Sequence, residues 1–173
     1  GRKDISLVLM GDGEHASLLR ALSQRLNLDE YVNFTGWIDK EEILRYLTVA
    51  DIGLSPDPQN GLNEYSTMIK TMEYMAMRKP VVAFDLPETR FSAQEAALYA
   101  VPNSVEDFVN QIENLLDDEE LRCKMGAFAQ GRIVEALSWE HSKKNLVQAY
   151  EALFFARSEP VVAADSVALS SRD

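Results

Sequence analysis

The sequence predicts an α/β protein in which a parallel β-sheet is covered by helices on both faces. Three observations lead to this prediction. Short apolar runs of strand length alternate along the chain with longer segments of helical period. The apolar runs are continuous rather than alternating, as in parallel strands that are buried on both faces. Turn-forming residues follow the runs, and ligands of such sheets bind where the strands end.

Five strands are predicted from apolar runs that end in turn residues or a change of period. They cover residues 5–10, 32–36, 51–55, 80–84 and 98–101. The first run ends in the turn Gly11-Asp12-Gly13, and the third ends in the breaker-rich segment PDPQNG. Pro80 is compatible with a strand because a proline at the first position removes no ladder hydrogen bond.

Six helices are predicted between and after these strands, each from apolar residues at helical spacing. They cover residues 16–27, 39–47, 66–77, 104–115, 119–136 and 138–156. Asp39 with Glu42 has the spacing of a capping box, and Ser104 with Asp107 is interpreted as a second helix cap. Residues 1–157 are therefore predicted to form one α/β domain. Residues 158–173, which are small and polar without a period, are predicted to be a flexible tail.

Composition excludes several classes of function. The chain has 173 residues and a formal net charge of −11, which opposes broad attraction to nucleic acid or to an anionic membrane. No apolar run approaches the roughly 18 to 20 residues of a membrane span, and no signal peptide is evident. One cysteine and two histidines supply neither a disulfide nor a zinc site. A cytoplasmic protein without a metal or cofactor is predicted.

The segment 61–76, GLNEYSTMIKTMEYMA, combines a core-facing stripe with a polar line. The apolar stripe is Met68, Met72, Met75 and Ala76. On the other side Ser66, Lys70 and Glu73 share one helical face that spans about 10 Å. One interpretation is a solvated ion pair of Lys70 with Glu73; the other is a ligand site, with free amides at the helix start for an anion and a buried Glu73 carboxylate for ribose hydroxyls.

Three segments resemble, in their order, a known family: LVLMGDG, YVNFTGWIDKEEILRYLTVADIGLSP and TMEYMAMRKPVVAFDLPETR. They are similar to the nucleotide-binding, C-terminal half of retaining glycosyltransferases of the GT-B type, the group 1 family, over roughly residues 5–156. The resemblance implies a Rossmann-like parallel sheet. It also implies transfer of a sugar from a nucleoside diphosphate, most often a UDP-sugar, with retained configuration and without a required metal.

The resemblance assigns roles to individual residues. Glu73 corresponds to the second glutamate of the family's Glu-x7-Glu motif, which holds the donor ribose, and the loop 63–67 to the segment whose amides cradle the diphosphate. Gly11 and Gly13 correspond to a glycine turn facing the donor, and residues 35–38 to the strand end beside the base. With Lys70 added from the polar line, the residues assigned to nucleotide-sugar binding are Gly11, Gly13, Thr35, Gly36, Asn63, Tyr65, Ser66, Thr67, Lys70 and Glu73.

The sequence also departs from the family pattern. Tyr65 stands where the first, sugar-contacting glutamate is usual, so the catalytic candidate becomes Glu64, one position away, on a rearranged loop. Arg78 replaces a usual glycine, which implies that no positive φ is needed there. The family's first strand of this half, with its phosphate-binding Arg and Lys, and the N-terminal acceptor-binding domain are expected before Gly1, which leaves Lys70 as the local cation.

Two other functions fit the same residues. Sugar-nucleotide epimerases share the GT-B architecture, so the chain is compatible with half of such an enzyme. Alternatively, Tyr65 in place of glutamate indicates a non-catalytic partner of a split glycosyltransferase. As the donor half of a glycosyltransferase, the chain alone is predicted to bind a nucleotide sugar rather than to catalyse.

Overall fold

The computed structural model describes residues 2–156. The chain divides into two compact units between Gln130 and Gly131, and both sheets and the predicted site residues belong to the first unit. The prediction of a single domain over residues 1–157 stays a prediction. The predicted tail, residues 158–173, lies outside the described residues.

All paired strands are parallel, as the sequence predicts, with helices between them. The strands are β1 (Leu7–Met10), β2 (Val32–Gly36), β3 (Gly53–Ser55), β4 (Val81–Phe84) and β5 (Ala97–Ala100). In the part of the chain that the structure describes they form two sheets, β1-β2 and β3-β4-β5, because no ladder connects β1 or β2 with β3. The parallel α/β class is therefore confirmed, with the strands distributed over two sheets.

The helices follow the predicted order, with one addition. They are α1 (Ala16–Arg25), α2 (Lys40–Val49), α3 (Ile69–Ala76), α4 (Pro87–Ala93), α5 (Val105–Asp117), α6 (Glu119–Arg132) and α7 (Trp139–Ala156). Helix α4 lies between the fourth and fifth strands, where no helix was predicted. Pro87 occupies its first turn, a position where proline's missing N–H costs nothing. Two 3-10 turns, at residues 63–65 and 94–96, and a π-helical segment at residues 133–137 complete the elements.

Both predicted helix caps are present. The Asp39 carboxylate accepts a hydrogen bond from the amide of Glu42 at 2.9 Å, and the Ser104 hydroxyl accepts one from the amide of Asp107 at 3.3 Å. Each bond satisfies an amide that has no partner within its own helix. These two helix starts are therefore encoded within four residues of sequence.

The core lies around β4, which is buried along its whole length between β3 and β5. Its main cluster consists of Val82, Phe84, Leu86, Ala100, Phe108, Leu115 and Met125. Burial is weaker around β1, where every residue is only partly buried and the leucines of α1 are exposed. The three-stranded sheet with α5 and α6 is thus the best-packed part of the first unit.

Helix α3 ends in a conformation that the sequence analysis did not predict. Arg78 has φ +58°, so the inference that no positive φ is needed at this position is wrong. The amide of Lys79 donates to the Tyr74 carbonyl at 2.9 Å and that of Arg78 to Met75 at 3.0 Å. This pair of bonds is a Schellman cap, which requires a left-handed residue whatever its side chain.

No helix within residues 2–156 has the length and apolar character needed to cross a membrane.

Candidate nucleotide-sugar site

The ends of β1 and β2 meet at two of the predicted glycines. The Gly11 amide donates to the Gly36 carbonyl at 2.9 Å, and the Thr35 hydroxyl donates to the same oxygen at 2.8 Å. Gly11 has φ +121° and Gly36 has φ +68°, so both need the backbone freedom of glycine. Gly13 has no such requirement, and its carbonyl accepts from Ala16 at the start of α1.

The loop between β3 and α3 is held by its own polar groups. The Asn60 side chain accepts from the amides of Leu62 and Asn63 at 3.0 and 2.8 Å. The Asn63 side chain donates to the Pro58 carbonyl at 2.8 Å, and the Ser66 hydroxyl to the Leu62 carbonyl at 2.7 Å. The loop conformation is therefore fixed by internal hydrogen bonds rather than left open for a ligand.

Most amides of residues 63–67, the segment assigned to the diphosphate, already have partners within the loop. The amides of Glu64, Tyr65 and Ser66 donate to carbonyls of the loop at 3.2 to 3.4 Å. Backbone donors for an anion must therefore come from the following residues, Thr67 to Lys70, at the start of α3. The Thr67 hydroxyl donates to Glu88 of α4 at 3.1 Å.

Helix α3 starts three residues later than predicted, at Ile69 instead of Ser66. Ser66 and Met68 are both extended, with ψ 123° and 106°, so Ser66 does not share a helical face with Lys70. The buried residues of α3 are Thr71 and Met75, while Met68 and Met72 are partly buried and Ala76 is exposed. The predicted polar line therefore reduces to Lys70 and Glu73, on successive turns.

Lys70 pairs with a residue that the sequence analysis did not select. Its Nζ lies 2.6 Å from Oδ1 of Asp57, two residues beyond the end of β3. The interpretation of Lys70 and Glu73 as a surface ion pair is therefore wrong. A carboxylate just past a strand end is the signal that identifies Asp57, because such ends line the ligand side of a parallel sheet.

Glu73 is exposed, which corrects the prediction of a buried carboxylate. Within residues 2–156 its side chain makes no hydrogen bond or ion pair. The next residue, Tyr74, packs on the backbone of Gly53 so closely that a Cβ there would lie 2.3 Å from the ring. Burial raises the pKa of the Tyr74 phenol, and the charges of Glu73 and Asp57 raise it further. Tyr74 thus holds α3 on β3 and leaves the Glu73 carboxylate available.

The residues at the position of the family's first glutamate differ in exposure. Tyr65 is 82% exposed. Glu64 is partly buried, and its carboxylate accepts a hydrogen bond from the Gln59 side chain at 2.8 Å. The backbone N–H of Gln59 donates to the Asn103 side chain at 2.8 Å, which ties the loop to the segment after β5. Glu64 is thus already engaged within the loop.

A second ion pair follows β4. Both carboxylate oxygens of Asp85 accept from the Arg90 guanidinium at 2.6 Å, and this bidentate bond lowers the pKa of Asp85. The guanidinium carbon also lies 4.2 Å from the centre of the Tyr99 ring. Asp85 directly follows the end of β4, much as Asp57 lies just beyond β3, and it was missed because it matches no motif.

The predicted residues fall into two groups. Gly11, Thr35 and Gly36 lie together at the ends of β1 and β2, whereas Asn63 to Glu73 lie beyond β3. No hydrogen bond or ion pair of residues 2–156 joins the two groups. Nor do these residues contain a group of three or more His, Cys, Asp or Glu side chains placed to hold a metal ion. What the arrangement offers chemically is a cation and a free carboxylate on α3 and an open glycine turn.

Comparison with known proteins identifies a matching family and relatives of similar sequence. The model of the family described as "Glycosyl transferases group 1" matches residues 1–118. The chain is 29% identical over 144 residues to a GDP-mannose-dependent monoacylated alpha-(1-6)-phosphatidylinositol monomannoside mannosyltransferase of Corynebacterium glutamicum, covering 80% of this chain and 37% of the relative. It is 28% identical to an alpha-D-kanosaminyltransferase of Streptomyces kanamyceticus, covering 71% and 31%.

Solved structures show the same fold. A sucrose-phosphate synthase from Thermosynechococcus elongatus superposes with a TM-score of 0.72 at 24% identity, over 87% of this chain and 39% of that one. The Anabaena protein Alr3699/HepE, in complex with UDP, superposes with a TM-score of 0.72 at 17% identity, over 87% and 42%. The chain therefore spans about two fifths of the length of these proteins.

Proposed function

The chain belongs to the glycosyl transferases group 1 family, and on this premise we propose that it is the donor-binding part of a retaining glycosyltransferase. The observation that carries the proposal is the placement of a cation, Lys70, and a carboxylate, Glu73, on successive turns of α3. Lys70 supplies a positive charge beyond the end of β3, and Glu73 supplies an ionisable carboxylate that has no partner among residues 2–156. A nucleoside diphosphate carries the two complementary groups, an anionic diphosphate and a ribose diol.

Glu73 is assigned to the ribose. An ionised carboxylate has two acceptor oxygens and can receive both ribose hydroxyls, whereas an amide side chain offers one oxygen. Tyr74 supports this role by packing on Gly53, which fixes the helix turn that carries Glu73. The carboxylate is thus held in place through the backbone while its oxygens remain open to a ligand.

Lys70 and the first turn of α3 are assigned to the diphosphate. Amides at a helix start and the positive end of the helix dipole favour an anion. Gly11 and Gly36 supply a backbone surface where a Cβ would find no atom within 4 Å, which allows close approach of a ligand. The other predicted residues keep their assignment around the donor: Gly13, Thr35, Asn63, Tyr65, Ser66 and Thr67.

The ligand is proposed to be a nucleoside diphosphate sugar, with uridine as the first candidate for the base. Uridine is supported by the UDP complex of the Anabaena protein, whereas the mannosyltransferase of Corynebacterium glutamicum is described as dependent on GDP-mannose. Both nucleotides therefore belong in the test. No metal or cofactor is assigned a role in the proposed binding.

Transfer is proposed to require the remainder of a longer protein. The relatives are about three times as long as the part matched here, and an acceptor-binding domain would form the facing side of the cleft. Positioning donor and acceptor together carries much of the rate of a group transfer. The chain alone should therefore bind the donor and show no sugar transfer, with Glu64 as the candidate for contact with the transferred sugar.

A non-catalytic partner module is the second candidate. The specific observation in its favour is Tyr65, exposed at the position where the family has a sugar-contacting glutamate. The two candidates share the donor site and differ in activity once the chain is joined to an acceptor-binding domain.

Calorimetric titration of the chain with UDP, GDP and ADP, each paired with its nucleoside, tests the donor site. We expect one diphosphate to bind more tightly than the other two and more tightly than its nucleoside. In a thermal-shift assay a ligand at 100 times its dissociation constant should stabilise the chain by about 2.7 kcal/mol. Absence of binding by all three diphosphates would overturn the proposal.

A further inference from the structure

Asp57 connects Lys70 to the buried part of the first unit through a chain of hydrogen bonds. Its Oδ1 lies 2.6 Å from Lys70 Nζ, and its Oδ2 accepts from the Ser55 hydroxyl at 2.6 Å. The Ser55 oxygen accepts in turn from the Thr71 hydroxyl at 3.2 Å. Ser55 and Thr71 are each 2% exposed, so the carboxylate is anchored to the interior at the junction of β3 and α3.

The two partners of this ion pair differ in their freedom to move. The Asp57 side chain is 18% exposed, is short and has a hydrogen bond to a buried serine. The Lys70 side chain is 39% exposed and ends a flexible four-carbon stem from the second residue of α3. An anion arriving at the start of α3 would therefore draw Lys70 away from Asp57, while Asp57 stays in place.

We propose that Asp57 is an internal counter-ion that competes with the ligand's phosphates for Lys70 and thereby determines which anions the site accepts. The inference rests on the proposed donor site for the ligand's identity, whereas the competition itself concerns any anion bound by Lys70. Asp57 is the specificity-determining residue, and Lys70 is the group that touches the ligand.

The selection follows from charge. An anion that binds Lys70 must replace the Asp57 carboxylate at the ammonium group. A singly charged anion only substitutes one negative charge for another, so its binding is little favoured. A diphosphate brings more than one negative charge and several acceptor oxygens to a cation with three donors. Replacement of Asp57 is therefore favourable for a diphosphate. The site still binds the diphosphate less tightly than it would if Lys70 had no carboxylate partner.

Asp57→Asn tests the competition because it keeps the side-chain size and removes the charge. Inorganic pyrophosphate, UDP and uridine would be titrated calorimetrically into the wild-type chain, Asp57→Asn, Lys70→Met and the double variant. We expect Asp57→Asn to bind pyrophosphate and UDP about three- to tenfold more tightly, with uridine unchanged. In the Lys70→Met background the same substitution should give at most a small part of this gain.

Asp51→Asn is the matched control. Asp51 is exposed and precedes β3, whereas Asp57 follows it, so the control makes the same change of net charge at the other end of the strand. It should leave all three affinities unchanged. An equal gain in Asp51→Asn would mean that net charge, and not competition for Lys70, explains the effect.

Three further results would overturn the inference: unchanged or weaker pyrophosphate binding by Asp57→Asn, an equal gain without Lys70, or no pyrophosphate binding by any variant. If Asp57→Asn does not fold, as judged by circular dichroism, Asp57→Ser provides the same loss of charge in a smaller side chain. A gain for pyrophosphate without preference for any nucleotide would refute the donor site alone. Glu73-dependent UDP binding without the gain would refute the competition alone.

Discussion

A Cβ atom placed on Gly126 of α6 would lie 2.2 Å from the carbonyl oxygen of Arg78, the left-handed residue that caps α3. Helix α6 therefore packs directly against the backbone at the end of the helix that carries Lys70 and Glu73. Only glycine permits this approach, because the atom in the way belongs to the main chain and cannot rotate aside.

We expect Gly126→Ala to lower the free energy of unfolding by about 1 to 3 kcal/mol through overpacking. Gly131→Ala is the control on the same helix: its Cβ would meet no atom within 4 Å, and alanine should raise stability by up to about 1 kcal/mol. Urea unfolding of both variants measures the difference. Equal changes of stability in the two variants would contradict the close contact.

Arg78→Gly should stabilise the chain by about 0.5 to 1 kcal/mol, because glycine adopts φ +58° without the steric cost that a side chain incurs. Arg78→Ala separates this backbone effect from loss of the arginine side chain, since alanine keeps the Cβ and the strain. Thermal and urea unfolding should show a gain for glycine only. A similar gain for alanine would attribute the effect to the side chain instead.

Glu73→Gln should weaken binding of the preferred nucleoside diphosphate by about 1.5 to 3 kcal/mol, because two charge-assisted hydrogen bonds to ribose lose the charge. Stability should change by less than about 0.5 kcal/mol, since Glu73 has no partner within residues 2–156. Glu113→Gln, an exposed position on α5 outside the proposed site, is the control. Equal nucleotide affinities of wild type and both variants would make Glu73 an ordinary surface residue.

The ion pair of Asp85 and Arg90 should stabilise the fold at neutral pH and lose this contribution at acidic pH. The pKa of Asp85 is lower in the folded state, so its contribution is complete above the unfolded pKa of about 3.9 and is lost as pH falls through the folded value. The side chains are 39% and 56% exposed, so solvent screening limits the contribution to about 1 kcal/mol or less.

Asp85→Asn and Arg90→Met test this pair by urea unfolding between about pH 7 and pH 3. The deficit of each variant relative to wild type should be largest at neutral pH and shrink below about pH 3.9. A deficit that persists unchanged to the lowest pH would assign it to packing, including the contact of Arg90 with Tyr99.

Much of the fold follows from interactions that are local in the sequence. The caps of Asp39 on Glu42 and Ser104 on Asp107 span three residues each, and the continuous apolar runs predict parallel strands because such strands are buried on both faces. Gly11 was selected for a turn and has the positive φ that a turn requires. These features depend on residue types within one turn or strand, which a sequence displays directly.

The local pattern failed at Ser66 and Lys70, which form bonds other than those that the helical pattern predicted. The sequence placed Ser66 on α3, but the Ser66 hydroxyl bonds to the Leu62 carbonyl and its backbone is extended, so the helix starts at Ile69. It paired Lys70 with Glu73 at helical spacing, but Asp57, thirteen residues away in sequence, is the partner.

By itself, therefore, the sequence determined the parallel α/β class, the order of the elements and the position of Glu73 after β3. Only the tertiary structure decided that Lys70 pairs with Asp57, that Glu73 has no partner in the described part of the chain and that α6 touches the backbone at Arg78. The physical reason is the distance in sequence between the residues that interact. Periodicity and caps are set by neighbours within a few residues, whereas ion pairs and close backbone approaches depend on which distant segments the packed core brings together.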